Sequence, residues 1–236
     1  MLGRKLLLSD LSGTLLVAAI IPVRKETKEH LIVTCQIGDG MIATVNAKGT
    51  FAGSVKLLGV PDSGEFTGET EFLTSAKMAK IEELQKRTKL SRGPVDFVMV
   101  MCDGVADDYF PNETQMRRLY YDLIANGILL KQHARDLSDL NREDLELFAK
   151  VPEPIAYPWV NDKSVFIPIQ YTSKICEAMG LSLEDLWDRR EVLSYAAVKL
   201  KGENMPAATE DRLLQWLDNY YERGSFDDRA LVIAEL

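Results

Sequence analysis

At 236 residues the chain is long enough for one large domain or two small ones. Hydrophobic residues at 46% allow a substantial core, while a formal net charge of -8 and a pI near 5.0 exclude the basic surface of a general nucleic-acid binder. No apolar run reaches the length of a bilayer span, and the leucines of the N-terminus are cut short by Asp10 before they could form a signal segment. The three scattered cysteines, Cys35, Cys102 and Cys176, have no metal-type spacing and fit reduced thiols. The expectation is a cytoplasmic chain with no membrane and no nucleic-acid partner.

Residues 2–9 read as a helix end or a short strand. Residues 13–22 read as a buried strand stopped by Pro22. The charged stretch Arg24 to His30 reads as a solvated hairpin tip. His30 and His133 have no visible partner and receive no role. From Leu31 the chain alternates, with Ile32, Thr34 and Gln36 on one face and Val33, Cys35 and Ile37 on the other. Gly38-Asp39-Gly40 interrupts it as a hairpin turn or a bulge, and the strand resumes at Met41. A second turn spans Asn46 to Gly49. Short strand-like pieces follow at 56–58, 64–68 and 71–75.

Residues 76–92 read as a short surface helix, with Met78, Ile81 and Leu84 at helical spacing, or as a polar excursion. The run Phe97-Val-Met-Val-Met-Cys102 then reads as a strand buried on both faces that ends in Asp103-Gly104. A helix begins after Asn112, with Met116, Leu119, Tyr120 and Leu123 on one face. Residues 129–200 are the least legible. They hold helical patterns near 138–148 and 171–197, with Leu183, Leu186 and Trp187 apolar, separated by Pro152, Pro154 and Pro158. Trp159 and Trp187 read as core or interface residues. Residues 207–224 form the clearest helix, capped by Thr209 and ended by Gly224, with Leu213, Leu214, Leu217, Tyr220 and Tyr221 as its stripe. Asp227-Asp228 leads into a terminal strand.

Three acidic sites therefore touch strand ends or turns: Asp39, Asp103 with Asp107 and Asp108 close behind, and Asp227 with Asp228. Such residues are also the ordinary residues of turns and helix caps. If their strands are neighbours, the carboxylates converge. A histidine-poor, all-oxygen site suits Mg²⁺ or Mn²⁺ better than zinc.

These segments, in this order, resemble the metal-dependent Ser/Thr phosphatases of the protein phosphatase 2C type, in particular their bacterial branch. The resemblance rests on Gly13-Thr-Leu-Leu-Val-Ala-Ala, Gln36-Ile-Gly-Asp39-Gly, Gly64-Glu-Phe-Thr-Gly-Glu-Thr-Glu-Phe-Leu-Thr74, Val100-Met-Cys-Asp103-Gly-Val-Ala-Asp107 with Asn112-Glu113, and Leu217 through Asp227-Asp228 to Ile233. It implies an α+β fold, a four-layer α-β-β-α sandwich of two antiparallel sheets flanked by helices, with residues 1–236 as one domain and 129–200 as a variable helical insertion. It implies hydrolysis of phosphoserine or phosphothreonine in a phosphoprotein substrate by a metal-activated water, without a phospho-enzyme. Asp103 and Asp227 would be core metal ligands and Asp39 a ligand of an additional, weaker position. Gly104, Asp107 and Asp228 would support them, around two or more Mn²⁺ or Mg²⁺ ions.

The family pattern also begins with an acidic residue and an Asp-Gly motif that bridges the metals, with a phosphate-binding arginine in the same region. Nothing before Gly13 matches these. The expectation is that the N-terminal strands are missing and come from an upstream segment or a partner chain. The alternative is a catalytically inactive phosphatase-fold binding module. A third reading takes Leu6 to Leu15 as a haloacid-dehalogenase nucleophile strand with Asp10. It places Ser12 where that chemistry needs an Asp, and it needs alternating βα units that residues 13–75 do not provide.

Overall fold

The computed structural model describes residues 5–61, 71–109, 112–129, 172, 176–177, 180–190, 193, 208–218 and 228–236. The chain divides into two compact units, residues 1–113 with 227–236, and residues 114–226.

The first unit is built on two antiparallel sheets. Strands β1 (Leu15–Arg24), β2 (Glu29–Ile37) and β5 (Thr88–Pro94) form one, in the order β1-β2-β5. Strands β3 (Met41–Val45), β4 (Val55–Leu57), β6 (Phe97–Met101) and β7 (Leu231–Glu235) form the other, in the order β4-β3-β6-β7. Ile32, Ile42, Leu58, Val95 and Val98 make a buried cluster, against which Leu16, Ala18 and Ile20 pack from β1 and Ala234 from β7. The two sheets thus face one another across an apolar layer, the arrangement of an α+β sandwich. Phe97, Met99 and Met101, on the other face of β6, are buried as well. A strand covered on both sides carries a continuous apolar run, as residues 97–101 do.

Several expectations change. Residues 8–11 form a 3₁₀ turn, so neither a helix end nor a nucleophile strand occupies them, and the sheets are antiparallel throughout. β1 runs past Pro22 to Arg24, with its register shifting between these two residues. Proline is tolerated because β1 lies at the sheet edge, where a missing N–H breaks no ladder bond. Nor is β1 buried on both faces, since Val17, Ile21 and Val23 are exposed.

Gly38-Asp39-Gly40 is neither a hairpin nor a bulge. It carries the chain from β2 in one sheet to β3 in the other. Gly38 has φ 108°, and a Cβ there would stand 2.3 Å from Thr14 Cγ2. Only glycine fits that crossing. Residues 71–75 form a turn in place of a strand, with Ser75 Oγ accepting from the Phe72 N–H at 3.1 Å. The piece at 64–68 lies outside the described residues.

Helix α1 (Ile81–Arg87) follows a 3₁₀ turn at Ala76–Ala79, as expected, but Ile81 is exposed and Met78 supplies the buried contact. β5 begins at once after α1, a strand hidden in the sequence by Lys89 and Arg92. The tip at 24–30 forms the β1–β2 hairpin. It is pinned where Lys28 meets Asp96 at 3.0 Å. Asp96 is buried and also accepts from the Ala47 N–H at 2.8 Å. His30 lies within β2, half-buried, with Nδ1 enclosed and no partner.

The second unit includes helices α3 (Glu113–Ala125), α4 (Leu183–Asp188) and α5 (Thr209–Asp218). α3 is buried well beyond the expected stripe. Tyr121 and Asp122 are covered along with Met116, Leu119, Tyr120 and Leu123. Trp187 of α4 packs against Tyr120 and Tyr121, with ring centroids 5.6 and 6.2 Å away, so it is a core residue. Tyr121 Oη donates to the Leu183 carbonyl at 2.6 Å. Asp122 Oδ1 accepts from Thr172 Oγ1 at 2.6 Å. The α5 stripe differs from the expected one: Arg212 and Trp216 are buried, while Leu214 is exposed. Thr209 is the first helical residue, and its hydroxyl accepts from Arg212 at 2.8 Å. Trp159, His133, Tyr220, Tyr221, Gly224 and the 138–148 helix lie outside the described residues.

Candidate metal centre

The candidate site sits at one end of the four-stranded sheet. Met41 of β3 pairs with Met101 of β6, and Met101 pairs with Leu231 of β7. Asp39 stands two residues before Met41, and Asp103 two residues after Met101. Both therefore leave the same end of the same antiparallel strand pair. Gly40 keeps the approach close, because a Cβ there would lie 2.5 Å from the Met101 carbonyl oxygen.

The β6–β7 pairing continues one step further on that side. Cys102 donates its N–H to the Ala230 carbonyl at 3.1 Å. Its Sγ accepts from the Ala230 N–H at 3.0 Å and donates to the Asp228 carbonyl at 3.2 Å. Cys102 is thus a clasp holding the start of β7 to the end of β6. The sequence singled it out only as a thiol. Cys35, Cys102 and Cys176 are all free of disulfides.

Asp103 opens the one-turn helix α2 (Asp103–Ala106), and its Oδ1 accepts from the Gly104 N–H at 2.8 Å. Asp39 and Asp103 are both half-buried, while Asp107 and Asp228 are exposed. Asp107 donates its N–H to the Asp103 carbonyl at 2.9 Å, which ties the two residues through backbone. Gly104 is buried beneath the turn. Asp227 lies outside the described residues.

The donors at this end are carboxylate oxygens, the chemistry that suits Mg²⁺ or Mn²⁺. Among the described residues no group of three His, Cys, Asp or Glu side chains could hold a metal ion. The pair Asp39 and Asp103 therefore fits the donor type, and a full set needs further oxygens.

Gln36 braces the loop that carries Asp39. It is 3% exposed, and its Nε2 donates to the carbonyls of Gly40 at 2.5 Å and Gly38 at 3.3 Å. Sequence reading placed Gln36 on the face it shares with Ile32 and Thr34 without giving it a role. A long amide side chain just before the Gly38-Asp39-Gly40 break was the available signal.

The fold is an α+β sandwich with acidic residues gathered at one end of a sheet. A family model for protein phosphatase 2C matches residues 2–139. The chain belongs to the protein phosphatase 2C family. Comparisons with curated proteins and with solved structures give no match. Among the described residues no helix is long and apolar enough to cross a membrane.

Proposed function

We propose that this chain serves metal-dependent hydrolysis of phosphoserine and phosphothreonine in a phosphoprotein. The observation that carries the reading is the exit of Asp39 and Asp103 from one end of the β3–β6 pair, in a member of this family. Two carboxylates at adjoining strand ends repel one another unless a cation or a proton lies between them.

In this reading Asp39, Asp103 and Asp227 hold Mn²⁺ or Mg²⁺. When bound, the ions supply an activated water and neutralise charge that develops on the phosphoryl group. Gly104 donates to Asp103 and orients its carboxylate. Asp107 and Asp228 add negative charge at the rim. Gln36 fixes the Gly38–Gly40 crossing, so Asp39 is held from behind. The bridging Asp-Gly strand comes from an upstream segment or a partner chain. Residues 1–236 act as one catalytic domain in a bacterial cytoplasm, within phosphorylation signalling, and residues 129–200 are its variable insertion.

The test is hydrolysis of p-nitrophenyl phosphate by the purified chain with Mn²⁺ titrated in, and Asp103→Ala as control. Metal-dependent turnover that the substitution abolishes supports the phosphatase reading and means that the site works without a strand from elsewhere. A cooperatively folded sample with no turnover at any Mn²⁺ concentration points instead to a phosphatase-fold binding module, or to a site completed only by another segment.

A further inference from the structure

The end of β6 serves two partners at once. In an antiparallel ladder, residues of a hydrogen-bonded pair exchange two N–H···O bonds. Cys102 and Ala230 make only half of that exchange. The Cys102 N–H donates to the Ala230 carbonyl at 3.1 Å, as a ladder requires. The Cys102 carbonyl does not return the bond. It accepts instead from the N–H groups of Val105 at 3.2 Å and Ala106 at 2.9 Å. Those bonds start α2 and carry Asp103 off the strand. The Ala230 N–H thereby loses the acceptor that a continuing ladder would give it.

The Cys102 thiol takes over that role. Sγ accepts from the Ala230 N–H at 3.0 Å and donates to the Asp228 carbonyl at 3.2 Å. The side chain does not cap the helix it precedes, so both of its bonding roles are spent on residues 228–230. One side chain replaces the lost ladder bond and adds another two residues further along. Carboxylates stand on both sides of this clasp. Asp103 follows Cys102 directly, and Asp228 is the residue whose carbonyl is held. Like charges push two such segments apart when no cation lies between them. The thiol opposes that separation.

We propose that Cys102 is a positioning residue of the metal centre: its thiol holds the Asp228 segment beside Asp103 and so raises the affinity for a divalent cation that it does not itself touch. The proposal deepens the phosphatase reading and rests on it for the ion. Binding that must first order two separate segments loses affinity to that ordering, and segments already held together lose less. Asp227, a ligand in that reading, adjoins Asp228 in the sequence. The sulfur is not a ligand. Both of its bonding roles are used, and Mg²⁺ or Mn²⁺ prefers oxygen.

The test is titration of the full chain with Mn²⁺ alone, the free ion being followed by its electron paramagnetic resonance signal. The readout is binding, so no turnover is needed. Cys102→Ala should lose about tenfold in affinity. Cys102→Ser keeps one donor and one acceptor and should stay within about threefold of wild type. Asp96→Ala weakens the same unit at the opposite end of the β3–β6 pair, where Val45 meets Phe97, and should bind Mn²⁺ like wild type. Each variant is measured below its own unfolding transition. Cys102→Val, which keeps a similar volume and drops both bonds, takes the place of Cys102→Ala should the latter not fold. Wild-type affinity in the variant without the bonds would overturn the proposal. So would a loss as large in Cys102→Ser, or an equal loss in Asp96→Ala, because affinity would then follow stability alone. Those outcomes leave Mn²⁺ binding by the wild type, and with it the phosphatase reading, in place. No Mn²⁺ binding by the wild-type chain would overturn both.

Discussion

Gln36 and Gly59 occupy one another's space: the Gln36 amide oxygen lies 1.8 Å from where a Gly59 Cβ would be. The same amide donates to the carbonyls on either side of Asp39. A side chain at position 59 therefore acts on a carboxylate it never touches. Gly59→Ala should displace the amide, release the Gly38 and Gly40 carbonyls and cost about 1–3 kcal/mol. Urea denaturation measures the loss. Gln36→Ala combined with Gly59→Ala should recover part of it, because the clash is gone, and a strictly additive double variant would refute the coupling.

Asp103 makes a second prediction, which separates stability from metal binding. In EDTA, Asp103→Asn should stay within about 1 kcal/mol of wild type, because the amide oxygen can still accept from Gly104. With Mn²⁺ added, wild type should melt at a higher temperature and the variant should not follow. Equal Mn²⁺-induced shifts in both proteins would remove Asp103 from the ligand set.

The buried Asp96 should be among the most sensitive positions in the first unit. Its carboxylate accepts from Lys28 Nζ at 3.0 Å and from the Ala47 N–H at 2.8 Å. Its backbone bonds both Val45 and Leu236. Asp96→Ala leaves the Ala47 N–H unmet and should cost about 2–4 kcal/mol. Lys28→Met leaves a buried carboxylate with its second bond intact and should cost less at pH 7. The ordering is read from denaturation midpoints of the two variants.

The second unit should weaken in alkali. Burial raises the Cys176 thiol from its ordinary value of 9.0 to about 11. The folded state therefore keeps a proton that the unfolded state gives up first. That stabilisation is complete below pH 9.0, declines from there, and is lost as pH passes the folded value of about 11. It amounts to about 2–3 kcal/mol. Cys176→Ala should flatten the decline in melting temperature over that interval, and an unchanged slope would contradict the assignment.

α4 carries a complete capping box. Ser182 Oγ accepts from the Asp185 N–H at 3.1 Å, and Asp185 Oδ2 accepts from the Ser182 N–H at 2.9 Å. Hydrogen bonds from Ser182 hold the Asp185 carboxyl below its ordinary range. Ser182→Ala should cost about 1 kcal/mol. It should also raise the Asp185 titration, which carboxyl chemical shifts would follow.

By itself the sequence determined several of the strands and the order of the acidic segments. The run at Phe97–Met101 reads as a doubly buried strand and the alternation from Leu31 as sheet, and both are strands in the fold. The terminal strand and the start of α3 followed from equally local patterns. The segments from Gly13 to Asp107 carried the family in chain order, and the match over residues 2–139 agrees. What local pattern could not decide was partnership. Gly38-Asp39-Gly40 reads alike as hairpin, bulge or sheet crossing, and only the pairing of β2 with β5 and β3 with β6 makes it a crossing. β5 was hidden because Lys89 and Arg92 face water, and a sheet edge needs no apolar alternation on that side. The α5 stripe was misread because Arg212 is drawn inward beside Trp216, a choice made by neighbours and not by helical period. One cavity is lined by Gln36, Gly59 and Lys89 from three separate stretches. Sequence distance conceals such a grouping, because nothing in a strand's own residues records which strand will lie beside it.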